Sequence, residues 1–178
     1  SKKGKSILGK LSSVEQTAIE AHLRKEEVRR MKDELKDYQI IVNKEMETLA
    51  DSAKKGKDSF LRYSYNQLHE YILRGGKRLR AISCIKAYEA FTGKKQRKIL
   101  LPAISLELFH ASSLVHDDIM DEDDTRRKGI TVHAHYRKEY KNIFKNKAEH
   151  VGNSFAILAG DLAYSYSNEL MARTKDSN

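Results

Sequence analysis

Cysteine, proline and tryptophan are almost absent from this sequence of 178 residues, which has one Cys, one Pro and no Trp. The single cysteine, Cys84, excludes an intramolecular disulfide and a cysteine-based zinc site, and it suits a reducing, cytoplasmic location. Apolar runs are only a few residues long, so no transmembrane segment is predicted. The basic segment SKKGKSILGK lacks the apolar core of a signal peptide, and we expect residues 1–13 to be a flexible tail.

Signals for β-strands are equally scarce. The sequence has no N-G or D-G hairpin pair, whereas helical periodicity runs through most of it. From Val14 to Leu49 an apolar residue recurs at every seventh position, which predicts one long amphipathic helix, or a pair, docked on the body of the protein or on a partner. Further helices are predicted over residues 58–73, 77–91, from 99 into an acidic cluster, 133–140 and 151–173, with breaks at Gly56, Gly75–Gly76 and Gly93 and a loop over residues 125–129. The fold class is therefore all-α, an antiparallel helical bundle over residues 14–178.

The acidic cluster lies in HDDIMDEDDTRR, residues 116–127, where six carboxylates precede two arginines. Asp117 and Asp121 are four residues apart, so a helix projects both from one face, about one turn from each other, while Asp118 lies to the side. Two such carboxylates repel each other unless a divalent cation lies between them. Hard oxygen ligands with open coordination positions favour Mg²⁺, which completes its shell with water and phosphate oxygens. The alternative is a solvated acidic helix end.

Basic residues indicate that the partner is anionic. The net charge is +9, which favours nucleic acid, an acidic membrane surface or a phosphorylated metabolite. In RGGKRLR, residues 74–80, two glycines allow close approach, and Lys77 and Arg80 are expected on the first turn of a helix whose N–H groups attract phosphate. His110 lies two helical turns before Asp117, and Arg127 follows the cluster.

These residues predict two anion sites of different chemistry. One is bridged by metal, with Asp117, Asp121 and Arg126, and the other is free of metal, with the basic residues Lys77, Arg80, His110 and Arg127. Such a pair suits a protein that ionises one diphosphate and keeps a second one intact.

The segments GGKRLR, LELFHASSLVHDDIMDEDDTRR and ILAGDLAYSY resemble, in order and spacing, the landmarks of the trans-isoprenyl diphosphate synthases, the polyprenyl synthetase family. The resemblance covers roughly residues 65–170. It implies the helical fold of the isoprenoid synthases, a homodimer, and Mg²⁺-dependent condensation of isopentenyl diphosphate with an allylic diphosphate. No nucleic acid is expected as a partner.

The resemblance also implies residue roles. Asp117 and Asp121 would bind Mg²⁺ on the allylic diphosphate with support from Asp118, and Arg126 would hold that diphosphate. Isopentenyl diphosphate would be bound by Lys77, Arg80, His110 and Arg127.

Product length follows from residues on the same helix. Ser112 and Ser113 precede Asp117 by five and four residues, where family members that make short products carry bulky aromatics. Phe109 lies one turn deeper and could form the floor of the pocket. A helical turn of about 5.4 Å matches one isoprene unit, so geranylgeranyl diphosphate is the expected product. The alternative is that Phe109 packs into the core.

Two departures from the family pattern are visible. Lys128 stands between the paired arginines and Gly129, and the 178 residues contain no second aspartate-rich motif, because Asp161 is a lone acid. The sequence therefore resembles the N-terminal half of such an enzyme, and this chain alone is expected to be inactive.

Four other interpretations remain open. His116–Asp117 matches the H-D pair of metal-dependent phosphohydrolases, although this leaves GGKRLR unexplained. A class I terpene cyclase shares the aspartate motif but needs no second diphosphate site. A basic helical module that binds nucleic acid lacks base-contacting signatures. A non-catalytic relative or subunit of a prenyl synthase is the fourth.

Overall fold

The computed structural model describes residues 12–55 and 59–174. Within these ranges it contains six α-helices and one pair of short strands. The helices are α1 (Ser13–Lys54), α2 (Ser59–Leu73), α3 (Leu79–Thr92), α4 (Leu100–Met120), α5 (Val132–Phe144) and α6 (Ala148–Arg173). Short 3₁₀ turns, Arg97–Ile99 and Lys145–Lys147, precede α4 and α6. The all-α fold class is thus confirmed, and the long first helix is a single helix.

The chain divides into two compact units, Ser1–Tyr38 and Gln39–Asn178. The described part of the first unit is helical, and several large apolar side chains on it are exposed, among them Leu23 and Met31. The helix predicted from the seven-residue periodicity is therefore confirmed. Its part within the second unit docks on the body, where Val42 and Met46 are buried, and docking on a partner stays a prediction.

In the second unit α4 is the central helix, which packs on α6 and on α3, while α6 also packs on α5. Small residues on α6 permit this close approach. A Cβ atom on Gly160 would lie 2.2 Å from His116 Nε2, and one on Gly152 would lie 2.7 Å from the His133 carbonyl oxygen. Ser105 and Ser167 join α4 to α6, since each hydroxyl donates to the other's carbonyl oxygen at 2.9 Å.

One segment of the described chain, Arg97–Met120, is long and apolar enough to cross a membrane by length and composition. The core helix of a soluble protein meets the same two criteria, so the absence of a transmembrane segment stays a prediction. In the structure this segment forms the central helix α4, and 44% of its most apolar window is buried inside the protein.

The connection between α4 and α5 is a hairpin rather than the predicted loop. Strands β1 (Thr125–Arg126) and β2 (Gly129–Ile130) pair antiparallel, with Thr125 opposite Ile130. The two turn residues, Arg127 and Lys128, have φ of 51° and 63°, as a type I′ turn requires. Arg-Lys is an unusual pair for such a turn, which is why no hairpin is predicted from the sequence.

Three helix boundaries differ from those predicted. Helix α3 begins at Leu79, because Gly75 and Gly76 have φ of 109° and 138° and Arg78 is left-handed at 52°. Helix α5 continues to Phe144, and α6 begins as early as Ala148. Gly93 ends α3 as expected, with φ 66° and an N–H donated to the Glu89 carbonyl oxygen. The break predicted at position 56 lies outside the described residues.

Candidate diphosphate and metal site

The structure divides the acidic cluster into free and paired carboxylates. Asp117 lies in the last turn of α4 and Asp121 directly follows the helix, and the Asp121 N–H donates to the Asp117 carbonyl oxygen at 2.8 Å. Both residues are exposed, one helical turn apart as predicted. Within residues 12–55 and 59–174, neither carboxylate takes part in an ion pair or a side-chain hydrogen bond. Their charges are therefore available to an external cation.

Asp118, between them in sequence, is buried and fully engaged. Its side chain is 1% exposed, Tyr71 on α2 donates its hydroxyl to Oδ2 at 2.7 Å, and Arg126 Nε donates to Oδ1. Burial, followed by the hydrogen bond to Asp118, raises the pKa of Tyr71 above its ordinary value, so the hydroxyl remains a donor. Asp118 thus anchors Arg126, and its support of metal binding stays a prediction.

Two of the three remaining acids of the cluster have partners, whereas the exposed Glu122 forms no ion pair or side-chain hydrogen bond among the described residues. Asp123 lies 3.8 Å from Arg126 Nη2, and Asp124 accepts a hydrogen bond from Arg137 of α5. The pKa of Asp124 is lowered, chiefly by this hydrogen bond to Arg137. Arg126 and Arg137 therefore relieve the repulsion expected from six neighbouring carboxylates at three of them, Asp118, Asp123 and Asp124. The repulsion persists around Asp117, Asp121 and Glu122.

The Gly75–Gly76 turn brings the paired arginines and the basic motif together. Arg127 Nη1 donates to the Gly75 carbonyl oxygen. A Cβ atom on Gly76 would lie 3.1 Å from the same guanidinium nitrogen, so the absence of a side chain allows this approach. Arg74 secures the hairpin from the same side, because its Nη1 donates to the Ile130 carbonyl oxygen at 2.7 Å. A Cβ atom on Gly129 would lie 2.2 Å from that Arg74 nitrogen.

The predicted anion site at the start of α3 needs a correction. Lys77 precedes α3 and is not on its first turn, and the backbone N–H groups of Arg80 and Ala81 both donate to Glu107 Oε1 at 3.1 Å. A carboxylate of the protein therefore occupies the position where phosphate was expected. The Lys77 and Arg80 side chains are exposed, and across the described residues neither forms an ion pair or a hydrogen bond. An anion can bind there to side chains but not to the helix N-terminus.

His110 lies on α4 in the field of these cations. Its pKa is lowered, first by burial and next by Arg80, with smaller effects in the same direction from Arg127 and Arg126 and an opposing one from Glu107. Arg80, Arg126 and Arg127 therefore all contribute to the electrostatic field at His110. His110, Arg80 and Arg127 thus influence one another electrostatically, and their joint binding of an anion stays a prediction.

The residues predicted to set product length do not share one surface. Phe109 is 50% exposed, and its ring lies 5.8 Å from that of Tyr164 on α6. The alternative that Phe109 packs into the core is therefore wrong for the described part of the chain. Ser113 is exposed as well. Ser112 is only 5% exposed, so it does not lie on the exposed face of α4 that carries Phe109 and Ser113. The reason is the helical period, which places Ser112 about 100° away from Ser113.

Mg²⁺ fits the carboxylate pair on chemical grounds. In the part of the chain that the structure describes, no three His, Cys, Asp or Glu side chains converge on a metal position. Mg²⁺ is bound in many phosphate-handling sites by only one or two carboxylates, with waters and substrate oxygens completing the octahedron. Asp117 and Asp121 supply that number. His116 does not join them, because its Nε2 lies 3.3 Å from the Ile157 carbonyl oxygen and 3.7 Å from Asp161 Oδ1.

Four residues that organise these clusters were not singled out from the sequence: Tyr71, Arg74, Arg78 and Glu107. Each contacts a residue that is distant in sequence. Tyr71 and Asp118, for example, are 47 residues apart. A buried charge within an apolar stretch, as at Glu107 in LELFH, was the available signal.

Comparison with known proteins defines the fold and then the family. The fold is that of the isoprenoid synthases: the crystal structure of geranylgeranyl pyrophosphate synthase from Corynebacterium glutamicum, complexed with isoprenyl diphosphate and magnesium, matches with a TM-score of 0.69 and 30% identity. The match covers 75% of this chain and 40% of that one. The chain belongs to the polyprenyl synthetase family, whose sequence model matches residues 62–178.

Curated relatives agree with this assignment. Geranylgeranyl pyrophosphate synthase of Geoglobus acetivorans is 35% identical over 138 residues, which cover 78% of this chain and 36% of the relative. Short chain isoprenyl diphosphate synthase of Methanocaldococcus jannaschii is 36% identical over 138 residues, covering 76% and 34%. The chain therefore spans about a third of the length of these relatives.

Proposed function

We propose that the chain is part of a prenyltransferase that condenses isopentenyl diphosphate with an allylic diphosphate. The observation that carries this proposal is the separation of charges along α4, with unpaired carboxylates at its C-terminal end and cations near its middle. Asp117 and Asp121 carry exposed, unpaired carboxylates one helical turn apart, whereas Asp118 and Asp124 are paired with arginines. Arg80, Arg126 and Arg127 contribute to the electrostatic field at His110. The carboxylate pair suits a diphosphate that is bound through a metal ion, and the cations suit a second diphosphate that is bound without one.

In the proposed reaction the C–O bond of the allylic diphosphate breaks, and pyrophosphate leaves with the electron pair. The double bond of isopentenyl diphosphate then attacks the carbocation, and the released pyrophosphate accepts the proton whose loss restores a double bond. Mg²⁺ held by Asp117 and Asp121 would supply charge neutralisation for the departing pyrophosphate. Arg126, held in place by Asp118, presents its guanidinium to the same diphosphate. The second diphosphate binds away from the metal, to the basic residues Lys77, Arg80, His110 and Arg127.

The finer proposals concern product, assembly and location. An exposed Ser113 and the Phe109–Tyr164 ring pair support a pocket that is open for about one turn and then narrows, which suits geranylgeranyl diphosphate. We expect a homodimer in the cytoplasm and a further aspartate-rich motif in the catalytic unit. The intact mass of the protein from its native source checks this last expectation, because a mass near 20.5 kDa would count against catalysis.

The proposal is tested by Asp117→Ala in isothermal titration calorimetry. The variant should lose Mg²⁺-dependent binding of an allylic diphosphate and retain binding of isopentenyl diphosphate, because only the first depends on the carboxylate pair. Asp124→Ala is the matched control, since it removes the same charge from the cluster at a residue already committed to Arg137. Unchanged allylic binding in Asp117→Ala contradicts the proposal. A salt-dependent gel shift without any diphosphate binding would instead favour the nucleic-acid alternative.

A further inference from the structure

Glu107 joins the beginning of one helix to the middle of another. It lies on α4, one turn before His110, and is only 6% exposed. Its Oε1 accepts the N–H groups of Arg80 and Ala81, and its Oε2 lies 3.9 Å from Arg78 Nη1. A carboxylate from α4 therefore provides the N-terminal cap of α3, which has no cap of its own.

Arg78 fixes the same segment from the other side. Its side chain is buried, Nε donates to Asn43 Oδ1 at 2.8 Å, and Nη2 donates to the Ile72 carbonyl oxygen at 2.9 Å. The backbone at Arg78 is left-handed, a conformation that a non-glycine residue adopts at a cost. The turn between α2 and α3 is thus held by side chains, with Glu107 as its contact to α4.

We propose that Glu107 is a positioning residue of the isopentenyl diphosphate site, an inference that rests on the proposed function. Its carboxylate sets the place of Arg80 relative to His110, because it holds the Arg80 backbone while His110 lies one turn further along the same helix. It also saturates the first N–H groups of α3, so that a diphosphate is directed to side chains and not to the helix N-terminus.

The proposal and simple electrostatics make different predictions for a variant that keeps the charge of Glu107. A negative charge beside an anion site repels the anion, so removing that charge should tighten binding if charge were all that mattered. Two conservative variants separate charge from position. Glu107→Gln keeps an acceptor oxygen at the same reach and loses the charge, whereas Glu107→Asp keeps the charge and withdraws the carboxylate by one methylene.

The experiment measures dissociation constants for isopentenyl diphosphate without Mg²⁺ in the native protein that contains this chain. Glu107→Asp should bind about ten-fold more weakly, and Glu107→Gln should bind within about two-fold of wild type or more tightly. Binding of an allylic diphosphate with Mg²⁺ should stay unchanged in both variants. In an Arg80→Ala background, Glu107→Asp should add no further loss, because its effect acts through Arg80. Glu149→Asp, which shortens an exposed carboxylate paired with Arg137, is the control.

The outcomes separate this inference from the proposed function. A wild-type protein that binds neither diphosphate contradicts the proposed function. Wild-type binding that is unaffected by Glu107→Asp overturns the inference alone. Equal losses for both diphosphates, or a loss in Glu107→Asp that adds fully to that of Arg80→Ala, also overturn it, since they indicate a general structural role. Circular dichroism and thermal unfolding establish whether each variant is folded. If Glu107→Asp does not fold, Glu107→Gln decides alone. A ten-fold loss of its affinity for isopentenyl diphosphate then overturns the inference, and an affinity equal to that of the wild type supports it.

Discussion

Asp118→Asn removes a buried negative charge and keeps the shape of the side chain. Asp118 is 1% exposed and accepts hydrogen bonds from Tyr71 and from Arg126, whose side chain is 26% exposed. The amide has one acceptor oxygen for these two donors, so its NH₂ group must face one of them. A lost charge-assisted hydrogen bond and a buried donor without an acceptor together cost about 3 kcal/mol. For a chain of this size that lowers the midpoint of thermal unfolding by roughly 6 to 12 °C.

Thermal and urea unfolding followed by circular dichroism measure this change. Asp123→Asn provides the matched control, because Asp123 faces the same Arg126 at 3.8 Å but its side chain is 54% exposed. An exposed pair of this kind contributes about 0–1 kcal/mol, so the control should unfold within a few degrees of wild type. The assignment of Asp118 as the buried anchor of Arg126 is refuted if the two variants unfold at the same temperature.

Three further predictions concern other parts of the site. Arg80→Ala should raise KM for isopentenyl diphosphate about ten- to a hundred-fold, the equivalent of about 1.5–3 kcal/mol, and steady-state kinetics should show a smaller effect on the allylic substrate. Gly160→Ala should destabilise the protein, because the added Cβ would lie 2.2 Å from His116 Nε2, but in a His116→Ala background it should stabilise by up to about 1 kcal/mol through helix propensity, as thermal unfolding can check. Product chromatography should show longer products for Phe109→Ala and shorter ones for Ser113→Phe, and a pocket along this face of α4 is excluded if neither variant shifts the distribution.

The helices and the identity of the charged motifs could be predicted from the sequence because both are local properties. Apolar residues at helical spacing required only neighbouring positions, and they predicted α2 to within one residue of its observed start. Likewise, the spacing of Asp117 and Asp121 fixed their relation within one turn of backbone. The family follows from the same motifs, and the comparisons confirm it. The roles of the individual site residues remain predictions.

Which charges are free and which are paired was decided only by the tertiary structure. Asp117 and Asp118 are adjacent and chemically identical, yet one is exposed and the other is buried against Tyr71, 47 residues earlier. Glu107 takes the N-terminus of α3 although the residues that it caps lie 26 and 27 positions away. Periodicity shows that a helix has a buried face. The partner of each polar group on that face depends on which helices pack together and on which of their residues lie opposite each other. That information lies in the packing of α2, α3 and α6 around α4, where a buried charge must find its partner or destabilise the fold.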